Sequence, residues 1–254
     1  MPELPEVEAR RIAIENAFKK ATLVSFDIYK KGIIKHHDIN VLNGIINHAL
    51  SSVKRKGKYL VFEFSNELRF TLHFGLFGEM EIASITERLP SVCARMVYNN
   101  KQALFLLKWA SIWFGMGVDE LEKLGPDPIA QQDEFTLTYL TNTLSKKKTN
   151  MKSFLMDQRI IAGIGAVYAD EILFKSGILP VRAANSLNKD EASRLYDAIL
   201  KTLKTAISKT VATGKEDRAF LSLENRTTCP VCGHNIVNTR LAGRRTLYCP
   251  ECQH

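Results

Sequence analysis

No stretch of this 254-residue chain holds about 18 consecutive apolar residues, so nothing in it reads as a membrane span. Its N-terminus lacks the basic segment and apolar core of a secretory leader. There is no internal repeat and no low-complexity segment. Cysteine is scarce, with Cys93 alone and the remaining four clustered near the C-terminus. In a reducing compartment such a cluster is not a disulfide framework, which leaves a metal as its explanation. Acidic residues are in deficit: 27 Asp and Glu stand against 35 Lys and Arg, a net charge of +8 with a pI near 9.2. That balance points to a polyanionic partner, nucleic acid ahead of a membrane surface. The expected location is cytosolic or nuclear: the cytoplasmic nucleoid in a bacterium, the nucleus in a eukaryote. The length suffices for two modest domains, each with its own core.

The opening residues Met1-Pro2-Glu3-Leu4-Pro5-Glu6 carry unusual chemistry. Once Met1 is removed, Pro2 presents a secondary amine beside a carboxylate. An α-amino group titrates near pH 8, so a useful fraction is a neutral nucleophile at physiological pH. Amines attack carbonyl-like carbons to give Schiff bases, and a positioned acid supplies the proton. The ordinary alternative is a helix start, where Pro and Glu are both favoured.

Residues 3–19 read as a helix with Val7, Ile14 and Phe18 on one stripe. Alternating strands follow: Val24, Phe26 and Ile28; Leu60, Phe62 and Phe64; Leu68, Phe70, Leu72 and Phe74; then the apolar run Ala103 to Leu107. The pattern predicts a β-sandwich or barrel with an N-terminal helix. It stops at Leu124-Gly125-Pro126-Asp127-Pro128, the best domain boundary. Beyond it, helices are expected over 133–145, 151–157, 166–176 and 188–209. Gly163-Ile164-Gly165 is a tight turn that feeds a helix start and presents main-chain N–H groups to an anion.

The C-terminus spells Cys229-x2-Cys232, sixteen residues, and Cys249-x2-Cys252. Two such knuckles point four thiolates at one metal and leave no open position, so the expected zinc ion is structural. Arg240, Arg244 and Arg245 fall between the knuckles, where guanidinium groups can fork onto phosphate. Lys54-Arg55-Lys56-Gly57-Lys58 reads as a phosphate-gripping loop or a solvated turn. Lys146-Lys147-Lys148 reads as a phosphate contact or a solvated helix end. Leu76-Phe77, flanked by Gly75 and Gly78, has the character of a duplex-inserting wedge.

Taken together, these blocks resemble the bacterial formamidopyrimidine-DNA glycosylase and endonuclease VIII family over nearly the whole chain. The match is carried by Pro2 to Glu8, Arg55 to Leu60, Leu124 to Pro128, Leu155 to Gln158 with Gly163-Ile-Gly165, and Arg244 to Cys249. The resemblance implies an α+β protein of two domains. The first is a catalytic domain of an N-terminal helix plus β-sandwich, over 1–128. The second holds a helix-two-turn-helix DNA-binding part over 129–222 and a β-hairpin zinc finger over 223–254. It further implies a bifunctional enzyme that acts as a monomer on damaged DNA. In it the Pro2 amine attacks C1′, expels the base and forms an imine, after which β- and δ-elimination remove the flanking phosphates. Glu3 would move protons at the sugar, and Lys58 and Arg244 would donate protons in the eliminations. Lys58, His73, Lys148, Gly165 and Arg244 would contact DNA, and Leu76, Phe77 and Phe114 would fill the gap left by the flipped base.

Departures from the family pattern bear on the substrate. Ala166 stands where relatives have a phosphate-binding Asn, removing a charge-assisted hydrogen bond of about 1.5–3 kcal/mol. Ile112 replaces the Arg that pairs with the estranged base, and Leu76 replaces a Met. The stretch from Thr213 to Cys229 is shorter than in relatives that cover a flipped 8-oxoguanine. Oxidised pyrimidines or ring-opened purines, in single strands as well as duplexes, are therefore expected ahead of 8-oxoguanine. Cys93 is expected to be a buried structural thiol. The competing expectation is a non-catalytic damaged-DNA or junction binder derived from the same fold.

Overall fold

The computed structural model describes residues 1–30, 32–35, 39–108, 111–114, 121–214, 218 and 221–254, with the backbone alone at 34–35, 39–40 and 111–114. The chain forms two compact units. One comprises Met1–Pro2 and Glu6–Lys123, the other Glu3–Pro5 and Leu124–His254.

In the first unit, helix α1 (Leu4–Phe18) buries Val7, Ile14 and Phe18 on the predicted stripe. Its polar residues are not all solvated: Glu6 and Arg10 are buried as well. Among the described residues nine strands follow, with helix α2 (Ile39–Ile45) between the second and third. They are β1 (Leu23–Ile28), β2 (Ile34–Lys35), β3 (Leu50–Lys56), β4 (Tyr59–Phe64), β5 (Arg69–His73), β6 (Glu79–Ser84), β7 (Val92–Tyr98), β8 (Gln102–Leu107) and β9 (Ser111–Phe114). They form two sheets, ordered β1-β7-β8-β6 and β2-β9-β5-β4-β3, so the architecture is a sandwich and not a closed barrel. The core between the sheets is aromatic. Phe62 stacks on Phe70 at 4.6 Å, and Phe26 reaches Phe70 from the other sheet at 5.9 Å.

One strand departs from simple alternation. Val24 is 49 % exposed, while Leu23 and Phe26 are buried. A register irregularity between Leu23 and Ser25 inserts an extra residue against β7, and a bulge of this kind reverses the inward set.

The second unit is helical, with a hairpin. Helix α3 (Leu137–Leu144) begins four residues later than the expected start at 133, because Thr136 caps it by accepting the Tyr139 N–H. Helices α4 (Met151–Met156) and α5 (Ala166–Ser176) follow. Helix α6 (Lys189–Thr213) opens on a reciprocal Asn188–Glu191 capping box. It continues past the expected end at 209 because buried Ala206 and Thr210 extend its inner face, and it stops at left-handed Gly214. Strands β10 (Val237–Leu241) and β11 (Arg244–Tyr248) make the hairpin. Among the described residues no helix is long and apolar enough to cross a membrane.

Candidate active site

Glu3 is held by main-chain amides. It is only 3 % exposed, and its carboxylate accepts the N–H groups of Gly165 at 2.6 Å, Val167 at 3.1 Å and Tyr168 at 3.4 Å. These are donors of the first turn of α5, which carry the positive end of the helix dipole. A Cβ at Gly165 would lie 2.3 Å from the Glu3 carboxyl carbon, so only glycine admits this approach. The turn does meet an anion, but the anion is the chain's own Glu3, and the Gly165 N–H is not left for a phosphate.

A residue that motif reading left unassigned holds this turn. Gln158 donates to the carbonyls of Met156 and Ile164, both at 2.8 Å, and accepts the Gly163 N–H at 2.9 Å. The Leu4 N–H then bonds the Gly163 carbonyl at 3.0 Å. Pro2, immediately before Glu3, is buried, whereas Met1 is 46 % exposed.

In the sandwich unit, Lys58 follows the positive-φ turn at Gly57 and is 8 % exposed. Two other members of its basic run are engaged within the protein. Arg55 is buried and bonds Glu8 at 2.6 Å, while Lys54 pairs with Glu63 at 2.9 Å. Arg55 also donates to the Gly57 carbonyl at 3.2 Å, which anchors the turn before Lys58. His73 accepts the Gly75 N–H on Nδ1 at 3.0 Å and packs against the Tyr59 ring at 4.7 Å. Burial, and next the charge of Lys58, hold its pKa down at about 4. His73 is therefore neutral at physiological pH and offers an Nε2–H donor, not a cation, to any phosphate.

Leu76 and Phe77 stand out in solvent, 58 % and 68 % exposed, and do not fold back onto the core. Their turn is stiff at its base. Gly78 N–H bonds the Phe74 carbonyl at 2.7 Å, and Arg10 lies over the Phe74 ring at 4.0 Å while donating to the Gly78 carbonyl. A Cβ at Gly78 would sit 2.2 Å from that Phe74 carbonyl oxygen. A rigid base beneath two exposed apolar tips suits a wedge.

Lys146, Lys147 and Lys148 are exposed just after α3. In the hairpin, Arg240, Arg244 and Arg245 are all exposed, and Arg245 pairs with Glu224 at 3.1 Å. The side chain of Phe114 lies outside the described residues. Its backbone pairs with Phe70, and that of Ile112 with Leu72. Part of the 213–229 stretch also lies outside the described residues. Cys93 is fully buried and its thiol donates to the Leu106 carbonyl at 3.0 Å, a structural contact.

The four C-terminal cysteines converge, with every pair of ligand atoms within 4.8 Å. The Cys229–Cys252 and Cys232–Cys249 sulfur separations are 3.8 and 3.4 Å. A zinc ion with four thiolates at about 2.3 Å needs sulfur separations of about 3.8 Å, so the donor set fits one ion.

Residues 1–107 match the formamidopyrimidine-DNA glycosylase N-terminal domain, and residues 124–216 match the formamidopyrimidine-DNA glycosylase H2TH domain. The chain belongs to the formamidopyrimidine-DNA glycosylase family. The family's enzymes are DNA glycosylases with AP lyase activity that serve base-excision repair. The formamidopyrimidine-DNA glycosylase of Carboxydothermus hydrogenoformans is 34 % identical, with both chains covered completely. That of Lactiplantibacillus plantarum is 31 % identical over 98 % of each chain. The Lactococcus lactis glycosylase bound non-covalently to DNA containing an AP site superimposes with a TM-score of 0.89 at 26 % identity, over 99 % of both chains. MutM in complex with DNA containing carbocyclic 8-oxo-G does so at 0.89 and 27 % identity, over 100 % of both.

A further pair went unpredicted. Lys152 on α4 and Asp170 on α5 are 1 % and 6 % exposed and bond each other at 2.8 Å. Lys152 also donates to the Arg245 carbonyl, and Asp170 accepts the Leu247 N–H at 3.0 Å. Desolvation raises the Asp170 pKa to about 6 against the pull of Lys152, and lowers that of Lys152. The signal available in sequence was weak, a lysine and an acid eighteen positions apart inside two apolar helices.

Proposed function

We propose that Pro2, freed of Met1, attacks C1′ of a flipped damaged nucleotide, and that the resulting imine undergoes β- and then δ-elimination. The observation that carries the reading is the amide-held Glu3 carboxylate, covalently next to the only residue of the family motif able to supply a secondary amine. Glu3 moves protons at the sugar. Lys58 and Arg244 contact the flanking phosphates and donate protons in the eliminations, and His73 and Lys148 add phosphate contacts. Leu76, Phe77 and Phe114 fill the space left by the base. One zinc ion on Cys229, Cys232, Cys249 and Cys252 maintains the hairpin that carries Arg244, residues 129–222 bind the duplex, and the enzyme acts as a monomer.

Oxidised pyrimidines and ring-opened purines are the proposed substrates, with 8-oxoguanine disfavoured, although relatives include a protein solved with 8-oxo-G DNA. The reading rests on this chain's own residues. Ala166 opens α5 with a methyl group where a phosphate ligand is expected, so duplex affinity is reduced. Neither Ile112 nor Leu76-Phe77 can hydrogen-bond an estranged base, so the opposite strand contributes little and single strands are accepted.

Borohydride trapping on an abasic-site oligonucleotide tests the chemistry. A covalent adduct is expected with the processed protein and none with Pro2→Gly that retains Met1; intact mass reports the state of Met1. No adduct under any condition would instead support the second reading, a non-catalytic damaged-DNA binder, which Ala166 favours. Excision from a lesion panel in single and double strands tests the substrate; 8-oxoguanine cleaved faster than oxidised pyrimidines would overturn the preference.

A further inference from the structure

We infer that the buried Lys152–Asp170 pair is a positioning device that fixes the Arg244-bearing hairpin against the helix whose first turn holds Glu3. The inference rests on the proposed roles of Glu3 and Arg244. Among the described residues strand β11 belongs to a two-stranded sheet, so one of its edges has no strand partner there. Buried main-chain groups on such an edge need partners, and leaving one unsatisfied costs about 1–3 kcal/mol. Arg245 offers its carbonyl and Leu247 its N–H, two residues apart and hence on one side of the strand. The ion pair answers both: Lys152 bonds the carbonyl and Asp170 the N–H.

The neighbouring groups narrow the role. Asp170 lies on α5 just after Val167 and Tyr168, whose amides hold Glu3. The charges acting on the pair are Glu3 and, for Lys152, Arg245. Glu171, next on the helix, is engaged elsewhere, with Ser222 and Lys175. The Arg245 side chain turns to Glu224. One helix thus carries the Glu3 cradle at its first turn and the hairpin anchor immediately after. A buried ion pair is on balance a weak stabiliser compared with a packed apolar pair, and its best-attested use is to specify register. Here the register specified is that of the edge beside Arg244.

Asp170→Asn is the decisive variant, because Lys152 bonds one carboxylate oxygen and Leu247 the other, and the amide turns one of those two acceptors into a donor. Amide exchange at Leu247 is expected to accelerate by about tenfold or more, with zinc content unchanged. On abasic DNA, trapped imine should stay within about threefold of wild type, while the share of δ-elimination product falls about tenfold, as for a misplaced group. Lys152→Gln, whose amide still donates to the Arg245 carbonyl, should retain at least about half of the wild-type share. Unchanged exchange at Leu247, a parallel fall of trapping and elimination, or failure of both variants to fold would each overturn the inference. A wild-type protein that forms no imine would strike the proposed function alone, and the exchange arm would still decide whether the pair anchors the hairpin.

Discussion

Each compact unit contains a buried cation that bonds a carboxylate and a main-chain carbonyl beside a residue proposed to contact phosphate. In the sandwich unit Arg55 holds Glu8 and the Gly57 carbonyl, next to Lys58. In the helical unit Lys152 holds Asp170 and the Arg245 carbonyl, next to Arg244. The geometry is alike and the chemistry is not. A guanidinium stays charged at every working pH and spreads its donors in a fixed fork, so Arg55 also leaves Glu8 free to meet Arg11. An ammonium is more strongly hydrated, and burial moves both partners of the lysine pair toward their neutral forms. The lysine clamp is therefore titratable through Asp170.

Breaking either clamp gives the largest expected effects on stability. Arg55→Met removes the buried cation from Glu8, which keeps Arg11, and a donor from the Gly57 carbonyl, and should cost about 3 kcal/mol in urea unfolding. A loss below about 1 kcal/mol would show that the clamp does not hold the Lys58 turn. Lys152→Met should cost less at pH 6 than at pH 8, because the stranded Asp170 can take up a proton. Equal costs at the two pH values would remove the distinction between the clamps.

Replacing the whole lysine pair sharpens the comparison further. Lys152→Met with Asp170→Leu removes both buried charges, which alone is often neutral or favourable. It also orphans the Arg245 carbonyl and Leu247 N–H, so a net loss of about 2–4 kcal/mol is expected. Stability at or above wild type would mean that the strand edge does not depend on the pair.

The pH dependence of stability separates the units by sign. The folded pKa of Asp170, about 6, lies above the ordinary 3.8. Its contribution is therefore fully present below about 3.8 and lost as pH rises through about 6. The folded pKa of His73, about 4, lies below the ordinary 6.5. Its contribution is present above about 6.5 and lost as pH falls toward 4. Between those limits the two oppose each other. His73→Gln should flatten the acid-side loss of stability and Asp170→Asn should steepen it, both read from unfolding midpoints across pH 4 to 7. The same slope in wild type and both variants would refute the assignment.

The smallest effect concerns a polar group with no clamp at all. Tyr98 is buried, stacks on Phe18 at 4.2 Å, and its hydroxyl has no partner among the described residues. Tyr98→Phe should be neutral or stabilising by about 1 kcal/mol in thermal unfolding. A clear loss would place a bound water on that hydroxyl.

Much of the site was legible in the chain. Pro2-Glu3, the cysteine spacing and the glycine-flanked Leu76-Phe77 are local signals, and local chemistry constrains them. Cys229 to Cys252 converge as their spacing requires, and Leu76 and Phe77 are exposed as a wedge demands. Lys54 and Arg55 in the basic run at 54–58 were misleading, because charge in a sequence does not say what it faces. Arg55 and Lys54 are engaged by Glu8 and Glu63, one on a helix and one on the neighbouring strand. Val24 failed for a related reason, since a single bulged residue is invisible to a period of two.

Sequence alone determined the family, the sandwich and helical classes and the four cysteines that converge in space, all of which follow from residue type and short-range spacing. Tertiary structure decided which polar groups are already engaged. Glu3 fills the helix start that looked ready for phosphate, because residues 162 positions apart meet there. Lys152 and Asp170 became an anchor only when a hairpin edge was laid against them. Hydrogen bonds are satisfied in space, and the partner that satisfies each one is a property of the fold.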